Sequence, residues 1–239
     1  SYGKQFRDTA DLTDMPMTQV LREFPRPKIE VEETDTGLRI IALRDLGNGT
    51  THVRITNQVF PCAITIPMSN EMTITQWHVP VDDTHCYWYS MFTSFTKPVD
   101  KVTMREQRLK EHRLPDYAPL KNRANNYGYN PDEQDTLTYT GMGLDINVHD
   151  QWAVESMGAI QDRRNEHLGK SDAAIIRYRK LLRKSIAEGA APFAYEDSTA
   201  ATAMGPRSID VIARNDEWRD TWHQRDDDRR AACSWPATV

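Results

Sequence analysis

Cysteine is scarce in this chain: Cys62, Cys86 and Cys233 are its three thiols. An odd, sparse count excludes a disulfide scaffold and fits a reducing compartment. Neither C-x-x-C nor C-x-H occurs, so the chain carries no thiolate zinc or iron–sulfur site of its own. No apolar run approaches the roughly 18–20 residues of a membrane span. The first 26 residues hold no apolar signal segment, so the expected location is cytoplasmic. Excess positive charge is missing too. Thirty Lys and Arg stand against 35 Asp and Glu, net −5, with a pI near 5.8. That argues against nucleic-acid and membrane partners, which want a basic field. There is no G-x-S-x-G, no Walker loop and no dinucleotide fingerprint. Mean hydropathy is low, −0.70, but six Trp, nine Tyr and six Phe supply large buriable side chains.

What is present changes character along the chain. Residues 1–28 read as irregular, broken by Pro16, Pro25 and Pro27, with Met17 and Phe24 as anchors. From Lys28 to about Phe95 the sequence predicts strands near 29–34, 38–44, 51–59, 62–68, 72–80 and 85–95. Short turns between them favour antiparallel pairing. The 72–79 strand has no cleanly polar face and is expected to be covered on both sides. Helices come after the strands. Thr103 and Glu106 suggest a capping box before a helix stopped by Pro115, and 115–140 reads as loop. A second helix is expected over about 149–166, and a third from a Ser171 cap to Gly189. In 208–230, Val211, Trp218 and Trp222 recur at helical spacing and suggest a surface helix docked by its two tryptophans, and Asp226 to Arg230 a solvated block. Strands first and helices afterwards make the class α+β. The expected division is a partial catalytic domain over 1–195 and a polar C-terminal extension over 196–239.

The chemically informative cluster is Asp145-Ile146-Asn147-Val148-His149-Asp150, running on to Glu155. Asp, Asn and His are metal ligands at short range. Asp and Asn also cap helices, and on local sequence alone the capping reading outweighs the metal one. His149 and Asp150 are adjacent, so they point apart on a helix and do not chelate one ion together. His78 and His85 flank the turn Asp82-Asp83-Thr84 and could face one pocket; a satisfied strand histidine is the plainer reading. Cys86 reads as a small buried residue.

From Asp150 the chain runs DQWAVESMGAIQDRRNEHLGKSDAAIIRYRKLL. This resembles the C-terminal signature of Rieske-type aromatic ring-hydroxylating oxygenases, alpha subunit, in the phthalate dioxygenase-like subgroup. Trp77-His78-Val79-Pro80-Val81-Asp82-Asp83-Thr84-His85 resembles a hairpin motif of the same subgroup. The likeness covers about residues 20–190. It implies a curved antiparallel sheet gripping a long C-terminal helix, with the Rieske domain absent from this chain. It also implies a terminal oxygenase component acting on an aromatic carboxylic acid, by O2-dependent hydroxylation or O-demethylation. The reaction would occur at a mononuclear non-haem Fe(II), with electrons from a 2Fe-2S Rieske cluster and ultimately from NAD(P)H through a reductase or ferredoxin. The implied assembly is a homo-oligomer, a trimer or larger.

Carried over residue by residue, the resemblance makes Asp150 the iron carboxylate, with His149 where relatives carry Gln. Asn147 and Glu155 become candidates for orienting it. The two iron histidines have no counterpart here, because no D-x-x-H-x-x-x-x-H occurs, and they are expected upstream of this chain. Arg54, Arg123 and Lys121 are candidates to meet a substrate carboxylate, and His78 and His85 complete the candidate pocket. The alternative is a non-enzymatic helix-grip binding domain for an apolar or aromatic ligand.

Overall fold

A computed structural model describes residues 17–190 and 205–233. The chain divides into two compact units, Val20–Pro98 with His167–Val239, and Ser1–Gln19 with Val99–Glu166. A short helix, α1 (Met17–Glu23), precedes the strands. The anchors expected near it resolve differently. Val20 is fully buried and Phe24 only half-buried, while the side chain of Met17 lies outside the described residues.

The first unit is built on a seven-stranded antiparallel sheet. Strands β1 (Lys28–Thr34), β2 (Gly37–Asp45), β3 (Thr50–Val59), β4 (Ala63–Pro67), β5 (Met72–Pro80) and β6 (Cys86–Ser94) lie side by side in chain order. All six fall where the β-branched and aromatic runs predict them. The turn from β1 to β2 needs Gly37, at φ +154, because a Cβ there would lie 2.1 Å from the carbonyl oxygen of Gln58. Pairing puts Ile41 opposite Ile55 and Leu43 opposite Val53, so alternation gathers these apolar side chains on one face.

The C-terminal stretch covers that face. The seventh strand of the sheet, Asp210–Arg214, pairs with the Thr50–Arg54 half of β3, on the edge whose other end holds β4. A helix over Trp218–Ala231 comes next. Ile41, Val53, Ile55, Ile209, Val211, Ala213 and Trp222 form one buried cluster, with Trp222 only 1% exposed. The helix docks through Trp222 and Trp218 as expected, whereas Val211 belongs to a strand that enters the core and not to that helix. The Asp226–Arg230 block is solvated only at Asp227 and Asp228; Asp226 is fully buried and accepts from Arg229 Nε at 2.9 Å and Arg230 Nε at 2.8 Å. The Arg229 guanidinium lies 4.0 Å over the Phe95 ring. Charged residues enter this core because each is paired on arrival.

The long helix, Ala173–Glu188, packs against β1 and β2. Tyr178 Oη donates to the Pro61 carbonyl at 2.5 Å, and Arg177 Nη1 to that of Val31 at 3.1 Å. Gly189 ends the helix at φ +63, as expected, but the start differs. A 3-10 turn over Lys170–Asp172 leads in, and Ser171 lies within it. Among the described residues, an antiparallel sheet with a long helix against it, and no closed barrel, is the α+β architecture the sequence order implied. Among the described residues no helix is long and apolar enough to cross a membrane.

The second unit is mostly short helices and turns. Its α-helices are α2 (Lys101–Leu109), α3 (Pro131–Thr136) and α4 (Ile146–Glu155). A two-stranded ladder pairs His112–Arg113 with Ala118–Pro119. The cap of α2 is Asp100, which accepts from the amides of Val102 and Thr103. Thr103 lies inside the helix, so its pattern with Glu106 is not the cap. The helix expected over 149–166 begins and ends earlier. It stops at Glu155, and Gly158, at φ +94, takes the chain out of helical space.

Candidate functional site

The short helix α4 carries the cluster that the sequence singled out. Asp145 is its cap, accepting from the Asn147 amide at 2.9 Å, and it pairs with Arg108 Nη2 at 2.5 Å. Asp145 is thereby committed to structure, as the capping reading held. Val148 turns inward against Tyr127 and Met142. His149 Nε2 lies 2.9 Å from the Gly143 carbonyl and 3.0 Å from Thr140 Oγ1. A carbonyl only accepts, so Nε2 carries the hydrogen. At the far end, Glu155 is held on both oxygens, by Tyr127 Oη at 2.5 Å and Gln151 Nε2 at 3.0 Å. Polar pins at the start, middle and end thus fix α4 with a single buried aliphatic residue.

The loop that receives His149 is itself braced. Glu133 Oε1 accepts from the Gly143 amide and from Thr138 Oγ1, each at 2.7 Å. The Thr138 bond, then the Gly143 amide, hold the Glu133 carboxyl below its ordinary range against some desolvation. Lys121 Nζ donates to the Met142 carbonyl at 3.1 Å. A Cβ on Gly143, at φ +85, would lie 2.6 Å from that nitrogen. Lys121 is therefore a strut under the loop.

These pins leave Asp150 on the opposite side of α4. Ile146 and Val154, one turn before and after it, are both exposed. Asp150 is exposed as well, yet desolvation by surrounding protein raises its carboxyl above the ordinary value; His149 opposes the rise and Asp145 adds to it. Because the side chain still meets solvent, the rise carries little energy. Asn147 is half-buried and contributes its amide to the Asp145 cap.

The other candidates are dispersed. Arg54 Nη1 pairs with Asp210 Oδ2 at 2.8 Å inside the sheet unit. Arg123 is exposed on a turn of the helical unit, close enough to Tyr127 to act on it electrostatically. His78 stacks on Trp88, its opposite residue on β6, with ring centroids 5.0 Å apart. His85 is turned into its own loop, Nδ1 lying 3.0 Å from Asp82 Oδ1. The Thr84 amide, then His85, hold the Asp82 carboxyl down to about 2. The two histidines thus have separate, local partners. Val79, Tyr87 and Tyr89 at the same end of the hairpin are exposed, so this strand is covered on both faces only along its inner half. Cys86 is exposed, not buried as expected, because it opens the edge strand at the hairpin tip.

Among the described residues no three His, Cys, Asp or Glu side chains stand where they could hold one metal ion. Asp150 is a single carboxylate donor. A two-histidine, one-carboxylate iron site does not fit the described residues by themselves.

The family model described as LigXa C-terminal domain like matches residues 21–233. The chain belongs to this LigXa C-terminal domain-like family. The match reaches past residue 190, where the resemblance was expected to stop, and takes in the strand and helix that close the sheet core. The oxygenase subunit of phthalate 4,5-dioxygenase from Pseudomonas putida is 28% identical over 212 residues, which cover 81% of this chain and 46% of the relative. The chain thus spans about half the length of that curated relative. Both findings agree with the resemblance to the C-terminal catalytic domain of Rieske-type oxygenase alpha subunits. The sequence offered no sign of Tyr127, Glu133 or Lys121 as supports of α4. Each lies in a loop-like stretch without periodicity, and its role depends on contacts across sequence.

Proposed function

We propose that the polypeptide carrying this family domain is a terminal oxygenase component that acts on an aromatic carboxylic acid. The reaction is O2-dependent hydroxylation or O-demethylation. The observation that carries the reading is Asp150, set outward on a helix whose other side is pinned at three points. In this reading Asp150 is one of three protein ligands to a mononuclear iron, and two histidines elsewhere in the polypeptide supply the rest. The bound iron would supply O2 activation. Electrons would come from a 2Fe-2S Rieske cluster, fed by NAD(P)H through a reductase or ferredoxin. What this chain contributes is positioning: Tyr127 and Gln151 hold Glu155, Gly143 and Thr140 hold His149, and the helix that carries the carboxylate between them is thereby fixed. The proposed assembly is a homo-oligomer, a trimer or larger, located in the cytoplasm.

The test is metal content and oxygen consumption of the full polypeptide. About one mononuclear iron per chain is expected. Asp150→Ala should lose that iron and all substrate-dependent oxygen uptake. Retention of both by the variant would overturn the assignment.

A further inference from the structure

The end strands of the sheet, β1 and β6, differ in how their outer edges are protected. β1 carries Lys28, Glu30, Glu32 and Glu33, and the long helix packs against it. Charge and cover are common ways of blunting a strand edge. β6 has no such charge: Cys86–Ser94 is nine residues, CYWYSMFTS, without a proline either. Its register with β5 runs unbroken from Cys86 opposite Pro80 to Ser94 opposite Met72, so no bulge turns it aside. Among the described residues β6 pairs with β5 alone. The backbone bonds show which residues face outward. The Phe95 amide donates to the Glu71 carbonyl and the Val81 amide to that of His85, so the odd-numbered residues of β6 turn their backbone groups towards β5. The His78 amide goes instead to the Cys62 carbonyl, so Trp88, opposite His78, turns its own away from β5. Trp88, Ser90 and Phe92 thus present amides and carbonyls along the outer edge. On one face, by the period of two, Tyr87, Tyr89 and Met91 are 59%, 56% and 52% exposed.

We propose that a second copy of this chain docks on this edge, β6 against β6, antiparallel across a two-fold axis through Ser90. In that register the strand is complementary to itself. Ser90 meets its own counterpart, Trp88 meets Phe92, and Tyr89 meets Met91, the last two contacts being made twice as an isologous interface requires. Trp88, Ser90 and Phe92 then exchange backbone bonds across the axis, because opposed residues with outward groups form the hydrogen-bonded pairs of an antiparallel ladder. Ring against ring and sulfur against ring are favourable cross-strand pairs, and no like charges meet. A charged partner would find no counter-charge on β6, whereas its own copy brings the matching apolar side chains. Two copies would cover roughly 1,000 Å², with two half-exposed tyrosines a side, which reaches the floor for a specific interface. The contact does not rest on the iron reading; it supplies one interface of the proposed homo-oligomer.

The test is the sedimenting mass of the full polypeptide. An isologous contact joins two equal halves, so breaking it should halve the mass whatever other contacts the assembly makes. In Ser90→Pro the lost amide points away from β5, and proline is tolerated on such an edge. The mass should halve while the thermal midpoint of the fold holds. Tyr89→Lys combined with Met91→Lys sets like charges opposite each other across the axis and should halve the mass as well. Tyr89→Lys combined with Met91→Glu sets opposite charges in the same register and should keep the parent mass. Asp150→Ala should sediment as the parent does, so failure of the oxygenase reading and failure of this contact are told apart. A monomeric parent, an unchanged mass in Ser90→Pro, or equal masses for the two double variants would each overturn the proposal. An unchanged mass with a lowered midpoint in Ser90→Pro would put another segment of the same polypeptide on the edge in place of a second copy.

Discussion

Tyr127 gives its hydroxyl hydrogen to Glu155 across 2.5 Å, tying an inward-facing tyrosine in a turn to the last residue of α4. Burial, first, and the Glu155 bond and charge, second, push the Tyr127 phenol up to about 12. The folded value lies above the unfolded one, so the stabilisation is complete below about pH 10. It is lost as pH rises towards 12. Tyr127→Phe should flatten that alkaline loss and lower stability at neutral pH by about 1.5–3 kcal/mol, the usual value of a hydrogen bond to a charged group. Urea midpoints at pH 8 and pH 10.5 measure both effects.

Asp226 is the hub of the C-terminal closure. Removing its charge takes a buried counter-charge away from Arg229 and Arg230. Asp226→Asn should cost about 3–5 kcal/mol, as breaking one partner of a buried pair does. Trp222→Ala should cost about 3–5 kcal/mol by a different route, loss of apolar contact and a cavity. An exposed substitution such as Asp228→Asn should stay within about 0.5 kcal/mol. Denaturant midpoints of the three variants give the order. Equal, small effects would mean that the last helix is not part of the core.

The charged form of two histidines of the sheet unit is disfavoured. Desolvation lowers the pKa of His78; desolvation, then Arg207 and Arg39, lower that of His223. Their folded values lie below the unfolded one, so their contribution is present above about pH 6.5. It fades as pH falls through the folded values, because the unfolded chain binds protons first. Stability should drop between pH 7 and pH 5, and His223→Gln should make that drop shallower. A chemical denaturation series across this range checks it.

The brace under His149 predicts a glycine requirement. Gly143→Ala puts a Cβ against Lys121 Nζ and holds an L residue at φ +85. The expected cost is about 1–3 kcal/mol, the usual range for a strained backbone position. Lys121→Met in the same chain should relieve the contact but not the backbone strain. Thermal midpoints of the single and double variants separate the two causes.

The strand runs were legible because β-branched and aromatic residues at period two, broken by Asp-Thr-Gly and Gly-Asn-Gly, leave little else for that stretch to be. The end of the long helix was legible for the same kind of reason, since Gly189 alone takes the left-handed turn without strain. Asp145 as a cap followed from its place before an apolar turn. The C-terminal stretch was legible only in its helix and its two docking tryptophans. Asp226, Arg229 and Arg230 look like surface until their mutual pairing is known, and Val211 looks helical until β3 is there to pair with it.

Local sequence by itself determined where the chain extends, where it coils and which acidic residue starts α4, because propensity, turns and caps act over a few neighbouring residues. Tertiary structure alone decided that Arg54 pairs with Asp210, that His78 and His85 part company, and that α4 turns Asp150 outward. Each of these depends on a partner far away in the chain, and burial sets the worth of a charge only once that partner is in place.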